Sequence, residues 1–172
     1  WEWLLYLWLL VYWTVTSVSI SVVGTVLYWL LPQKYAHICG RFILHKDFQL
    51  FIFILKITGL LILEDEQLRS LANKQEAMIV APNHVALWDV VFIVARVPNL
   101  ICIMKANILR NPLFGGGASY LAGYLPVRSI TQMLKLAKAR LKAGEQLLLF
   151  PEGTRTKTDV QWLNPLKGGS AL

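Results

Sequence analysis

Cysteine is scarce: only Cys39 and Cys102 occur, far apart and both in apolar surroundings. That excludes a disulfide framework and cysteine-based metal spacing, and it suits a reducing compartment. The three histidines, His37, His45 and His84, are scattered. No cluster with metal-ligand spacing exists, and no metal is expected. Charge is nearly missing from the start, where residues 1–33 carry a single charged side chain, Glu2. A cleaved secretory signal needs a basic start and a shorter apolar core, so that reading is excluded. Internal repeats and low-complexity linkers are missing as well. The 172 residues suffice for one domain of moderate size and not for two large ones. Trp1 stands where a methionine is usual, and NPLKGGSAL reads as an interrupted element, so a longer parent chain is expected.

Apolar residues are abundant, at 56% of the chain, and the excess lies in the first third. Residues 3–31 are almost continuously apolar, broken only by small residues such as Thr14, Ser17, Ser19 and Gly24. About 20 residues cross the hydrocarbon core as a helix, so this stretch is long enough. Trp8 and Trp13 near one end, with Tyr28 and Trp29 near the other, are placed as interfacial aromatic belts. Lys34, Arg41 and Lys46 follow the span and favour a cytoplasmic face for everything after it. FILHKDFQLFIFILK (42–56) is too short and too charged for a second span. His45, Gln49 and Lys56 fall on one of its helical faces, which predicts a helix lying along the interface. Were it to cross, the rest of the chain would change sides. The formal charge is +7. Nucleic acid is one partner for such a balance, but a membrane-embedded start favours anionic lipid or an acidic carrier, and no nucleic acid is expected.

From about residue 57 the pattern changes. AMIVAP (77–82), LICIM (100–104), YLPV (124–127) and QLLLF (146–150) read as strands, and ITGLLIL (57–63) as a further edge strand. Helical stretches lie between them: LWDVVFIVARV, then NPLFGGGASYLAG, then SITQMLKLAKARLKAG. The last opens with Ser129 and Gln132 at capping-box spacing and ends at Gly144. This alternation predicts an α/β fold, a mostly parallel sheet with flanking helices, preceded by an N-terminal membrane helix segment. The expected division is residues 1–56 for the membrane and interfacial helices and 57–172 for the α/β domain. Lys135, Lys138 and Lys142 share one face of the last helix, beside an apolar stripe of Leu134, Ala137 and Leu141. Such a face is a solvated exterior or a docking surface for an acidic partner.

The polar oddities gather at one rim. His84 follows the first of these strands, Lys105 the second, Arg128 the third, and Glu152 with Arg155 the fourth. Ligands of open α/β sheets bind outside the carboxyl ends of the strands. In NHVALWD (83–89), a histidine and an aspartate five apart diverge by about 140° on one continuous helix. They meet only if His84 stays in the loop and Asp89 begins the next helix. Asp89 can then hold one ring nitrogen and leave the other as a general base. No serine or cysteine is placed beside them as a covalent nucleophile, so a substrate hydroxyl fills that role. A capped helix start with a satisfied histidine explains NHVALWD equally well when it is taken alone. In FPEGTR (150–155), Gly153 lets a ligand approach the backbone and Arg155 offers a fork for phosphate. Glu152 can hold that arginine or bind an acceptor hydroxyl. Alone, the hexapeptide reads as a surface turn; on one rim with NHVALWD, it reads as a site.

These residues resemble a known family. NHVALWD is similar to the asparagine–histidine–four-residue–aspartate motif of the glycerolipid acyltransferases, the family of 1-acylglycerol-3-phosphate acyltransferases. FPEGTR resembles that family's glutamate–glycine–threonine–arginine block, and GYLPVRS, carrying Arg128, its intermediate block. The family often has an acidic residue where Val127 stands, and its later proline-bearing strand lies outside the sequence. The resemblance covers roughly residues 56–172. It implies a membrane-bound enzyme in which His84 deprotonates the hydroxyl of a lysophospholipid and Asp89 holds the imidazole. That hydroxyl attacks the thioester of acyl-CoA or acyl carrier protein, a co-substrate rather than a bound cofactor. The glutamate–glycine–threonine–arginine block, here Glu152, Gly153, Thr154 and Arg155, together with Arg128 and Lys105, would hold the acceptor. The small residues of GGGASYLAG (115–123) would border a channel for the acyl chain. Another lyso-acceptor, or a catalytically silent lipid-binding protein of the same fold, remains as an alternative.

Overall fold

The computed structural model describes residues 2–114, 116–127 and 129–155. In chain order the elements are α1 (Glu2–Leu30), α2 (Gln33–Ile57), α3 (Glu66–Ala72), β1 (Ile79–Val80), α4 (Asp89–Val94), β2 (Leu100–Lys105), α5 (Ala106–Leu109), a 3₁₀ turn at Pro112–Phe114, α6 (Gly116–Leu121), β3 (Leu125–Val127), α7 (Ile130–Lys142) and β4 (Gln146–Leu148). They form two compact units. One runs to Ile62 and takes in Asn107–Tyr124; the other comprises Leu63–Ala106 and the chain from Leu125 onward.

The first unit is helical. Trp3–Leu30 is, among the described residues, the one helix long and apolar enough to cross a membrane. Leu4, Val11, Val15, Val18, Val22 and Trp29 stand exposed along it, as a lipid-facing surface requires. Its buried stripe is small instead: Ser17, Ser21 and Gly24 recur at one-turn spacing. After Pro32 the chain turns into α2, whose Ala36, Gly40, Leu44, Phe48, Phe51 and Ile52 form a single buried stripe. Trp13 packs on Phe48 and Phe51 across the two helices. The helix predicted over 42–56 is thus the second half of a longer one. Residues 57–63 are not the expected edge strand. The N–H of Thr58 donates to the Ile54 carbonyl, and those of Leu60 and Leu61 fold back onto the Leu55 carbonyl. The backbone there ends a helix and has no ladder to offer.

The glycine-rich segment packs into this unit. A Cβ on Gly117 would meet the Ser21 carbonyl oxygen at 1.8 Å, so only glycine permits that approach. Ser21 Oγ accepts the Gly117 N–H at 2.9 Å, and Arg41 Nε donates to the Ala122 carbonyl at 3.3 Å. Gly116, Gly117, Ala118, Ser119 and Leu121 are all buried. The small residues expected to border an acyl channel serve instead to bring α6 close to α1 and α2.

The second unit is an α/β sheet of four parallel strands in the order β1–β4–β2–β3. Leu147 in β4 pairs with Ile79 of β1 and Ile101 of β2. Leu100, Ile101, Leu147 and Leu148 have no exposed surface, which explains their continuous apolar runs, since a strand covered on both faces does not alternate. β1 reaches β2 through α4, and β3 returns to β4 through α7. With right-handed crossovers these opposite traverses place α4 and α7 on opposite faces. α7 is capped as predicted, the Ser129 hydroxyl accepting the Gln132 N–H at 3.3 Å. α4 is short and held at both ends. Val91, Ile93 and Val94 anchor it in the core. Arg96, just past it, donates from Nε to the buried Asp65, whose other carboxylate oxygen accepts from Arg69 at 2.7 Å. The Arg69 hydrogen bond, with that of Arg96, holds the Asp65 carboxyl below the usual carboxylate range.

Candidate active site

The carboxyl ends of the adjacent strands β1 and β4 place the two motif loops side by side. After β1 the chain runs without regular structure through His84, turns at 86–88, and enters α4 at Asp89. The turn is closed from both directions. The Asp89 N–H donates to the Ala86 carbonyl at 3.3 Å, and the Ala86 N–H donates to Asp89 Oδ2 at 2.8 Å. The same oxygen lies 3.0 Å from Nδ1 of His84. Histidine in the loop and aspartate at the helix start is the arrangement that lets residues five apart meet.

The proton on this pair can be assigned from its neighbours. Asp89 Oδ2 already accepts from the Ala86 N–H, so it faces Nδ1 as an acceptor too, and Nδ1 carries the hydrogen. The lone pair is left on Nε2, away from the carboxylate. Both side chains are 18% exposed, enough for a substrate to reach the ring and little enough for solvent not to cancel the interaction.

β4 delivers the second loop. A turn over Phe150–Gly153 is closed by the Gly153 N–H donating to the Phe150 carbonyl at 3.0 Å. Pro151 fits its second position, and Gly153, at φ 64°, occupies a left-handed conformation that other residues adopt only at a cost. Two side chains of the turn bear on His84. The Phe150 ring stacks on the imidazole, centroids 4.2 Å apart at 28°. Glu152, 1% exposed, accepts the backbone N–H of His84 at Oε1 over 2.9 Å. Thr154 and Arg155 continue into solvent, both exposed. Lys105 is exposed at the end of β2, one strand beyond β4. Arg128 lies outside the described residues.

Residues 62–171 match the protein family described as Acyltransferase. The chain belongs to that family. Among curated relatives, this chain is 31% identical over 101 residues to a 1-acyl-sn-glycerol-3-phosphate acyltransferase of Helicobacter pylori, an alignment covering 56% of this chain and 42% of that protein. It is 25% identical over 161 residues to one from Pseudomonas aeruginosa, covering 91% and 62%. It is 35% identical over 94 residues to one from Cocos nucifera, covering 51% and 30%. The chain thus spans less than two thirds of each of these relatives. No solved structure matches it significantly.

The structure adds a residue that sequence reading missed. Phe150 was read as the end of a strand, yet its ring stacks on the His84 imidazole. No signal in the sequence marked it, because a turn closed between Phe150 and Gly153 does not keep alternate residues on one side as a strand does.

Proposed function

We propose that the protein is a membrane-bound O-acyltransferase that moves a fatty acyl group from acyl-CoA or acyl carrier protein to the free hydroxyl of a lysophospholipid. The acceptor we infer is 1-acylglycerol-3-phosphate, giving phosphatidic acid, which is the activity named for the relatives above. The observation that carries the reading is the 3.0 Å contact between His84 Nδ1 and Asp89 Oδ2, with Nε2 left as the base.

In this scheme Nε2 takes the proton of the acceptor hydroxyl as its oxygen attacks the thioester carbonyl. The tetrahedral intermediate collapses, the carbon–sulfur bond breaks, and the imidazolium returns its proton to the departing thiolate. The products are the ester and a free thiol, and the base is regenerated. Asp89 stabilises the transient imidazolium. Arg155, with Arg128 and Lys105, holds the acceptor phosphate, Arg155 by a planar fork at the end of the turn. Gly153 and Thr154 lie at the same end and line the acceptor's approach. The apolar α1 supports membrane attachment, and the basic residues after it favour a cytoplasmic face for the site.

The test is acyl transfer by the purified protein, with several lyso-acceptors offered against acyl-CoA and acyl carrier protein. His84→Ala should abolish it while leaving the protein folded and membrane-bound, since loss of a general base costs ~10²–10⁴ in rate. Activity of His84→Ala within a few-fold of the parent would end this mechanism. Preference for another lyso-acceptor would redirect the substrate without touching the chemistry.

A further inference from the structure

Asp89 fixes which ring nitrogen of His84 is the base, but it does not fix where that base points. Rotation about the side-chain bonds and movement of the loop backbone both remain to be restrained. The residues flanking His84 give little anchorage, since Asn83 and Val85 are both exposed. The restraint comes from the other motif. Phe150 covers one face of the ring, and the Glu152 carboxylate holds the main-chain N–H. A carboxylate with 1% exposure is costly to bury and is rarely spent on a bond that water could make.

We propose that Phe150 and Glu152 act together as a clamp on His84, so that the first half of FPEGTR positions the base and only its second half meets the acceptor. Glu152 is then a positioning residue and does not touch substrate. The two contacts restrain different freedoms. The carboxylate fixes the loop backbone, and the ring stack fixes the imidazole plane. Among the described residues, the charged groups hydrogen-bonded to His84 are Asp89 from α4 and Glu152 from the turn after β4.

The kinetic half of the test rests on the acyltransferase reading. Glu152→Ala should lower kcat roughly 10²-fold, the scale of a 1 Å misplacement, with acceptor KM within about twofold of the parent. Glu152→Gln keeps an acceptor oxygen and should recover roughly tenfold of that loss. Phe150→Leu keeps an apolar cover but loses the flat aromatic face, so kcat should fall roughly severalfold with acceptor KM within about twofold of the parent. The spectroscopic half needs no turnover. In detergent micelles, the His84 ring-proton NMR signals, identified by their loss in His84→Asn, should lose the upfield ring-current shift of the stacked phenyl in Phe150→Leu. The His84 amide proton should move upfield in Glu152→Ala and much less in Glu152→Gln. These shifts in a protein without acyl transfer would sustain the clamp and remove the proposed reaction. A raised acceptor KM with kcat intact in Glu152→Gln would overturn the clamp and put the carboxylate on substrate. Unmoved His84 ring and amide signals in every variant would overturn it as well.

Discussion

Asp89→Asn is the substitution whose outcome the site geometry constrains most tightly. In other histidine–carboxylate pairs, changing the acid to its amide can cost ~10⁴ because the amide nitrogen turns toward the ring and forces the wrong tautomer. Here the same Oδ2 also accepts the Ala86 N–H at 2.8 Å. An asparagine that turned its nitrogen there would set two donors against each other. The amide oxygen therefore keeps the place, Nδ1 keeps its hydrogen, and what is lost is the charge. A charge-assisted hydrogen bond contributes about 1.5–3 kcal/mol and a neutral one about 0.5–1.5, a difference of roughly 1–1.5 kcal/mol. That predicts a fall in kcat of roughly tenfold, because the imidazolium has lost its counter-charge. Asp89→Ala leaves both donors without their acceptor and frees the ring, so it should be worse by at least another tenfold. The assay is free-thiol release in detergent micelles, from pH 5 to 9, at saturating donor. A loss near 10⁴ for Asp89→Asn would refute the argument that Ala86 holds the tautomer. Parent-like rates would remove Asp89 from the mechanism.

Arg155→Lys keeps the charge and loses the fork, so acceptor KM should rise roughly tenfold with donor KM within about twofold; equal effects on both substrates would make Arg155 structural. Lys135, Lys138 and Lys142 are exposed on one face of α7, while Arg140 is paired with Glu145 at 3.0 Å. Reversing the three lysines to glutamate should raise donor KM at low salt. The difference from the parent should fade as the Debye length falls from ~10 Å at 0.1 M to ~3 Å at 1 M, and unchanged low-salt kinetics would return this face to ordinary solvation. Because the folded carboxyl of Asp65 sits below its unfolded value, its contribution to stability is present above about pH 4 and is lost as pH falls through the folded value. Asp65→Asn should lower stability by about 1.5–3 kcal/mol at neutral pH and flatten the acid dependence of the melting temperature, whereas a parallel acid dependence would place the acid sensitivity elsewhere.

The strands were legible because a chain buried on both faces has to be apolar throughout, and α7 because Ser129 and Gln132 carry a capping signal of their own. The failures share a cause. ITGLLIL has strand composition, but whether Thr58 ends a helix depends on what the preceding 25 residues do. GGGASYLAG signals close approach of something without saying what; the partners turned out to be α1 and α2. In the candidate site, His84 and Asp89 could be paired on the condition that the histidine stays in the loop and the aspartate begins the helix, which their spacing permits without choosing. The bond from the His84 backbone to Glu152 could not, since every residue has an N–H and the sequence does not mark which one will be used.

The placement of α6 has a consequence for how the chain is made. Gly117, which donates to Ser21, is 96 residues downstream of it. At a synthesis rate of 5–20 residues per second, α1 and α2 wait roughly 5–20 s for the segment that fills the gap between their small-residue stripes. Through that interval Ser17, Ser21, Gly24 and Gly40 form an open seam, the kind of surface to which any other small-faced helix in a bilayer can adhere. A chain stopped before residue 107 carries that seam permanently. Its N-terminal helices should associate with copies of themselves, where the complete unit, its seam closed by its own α6, should not.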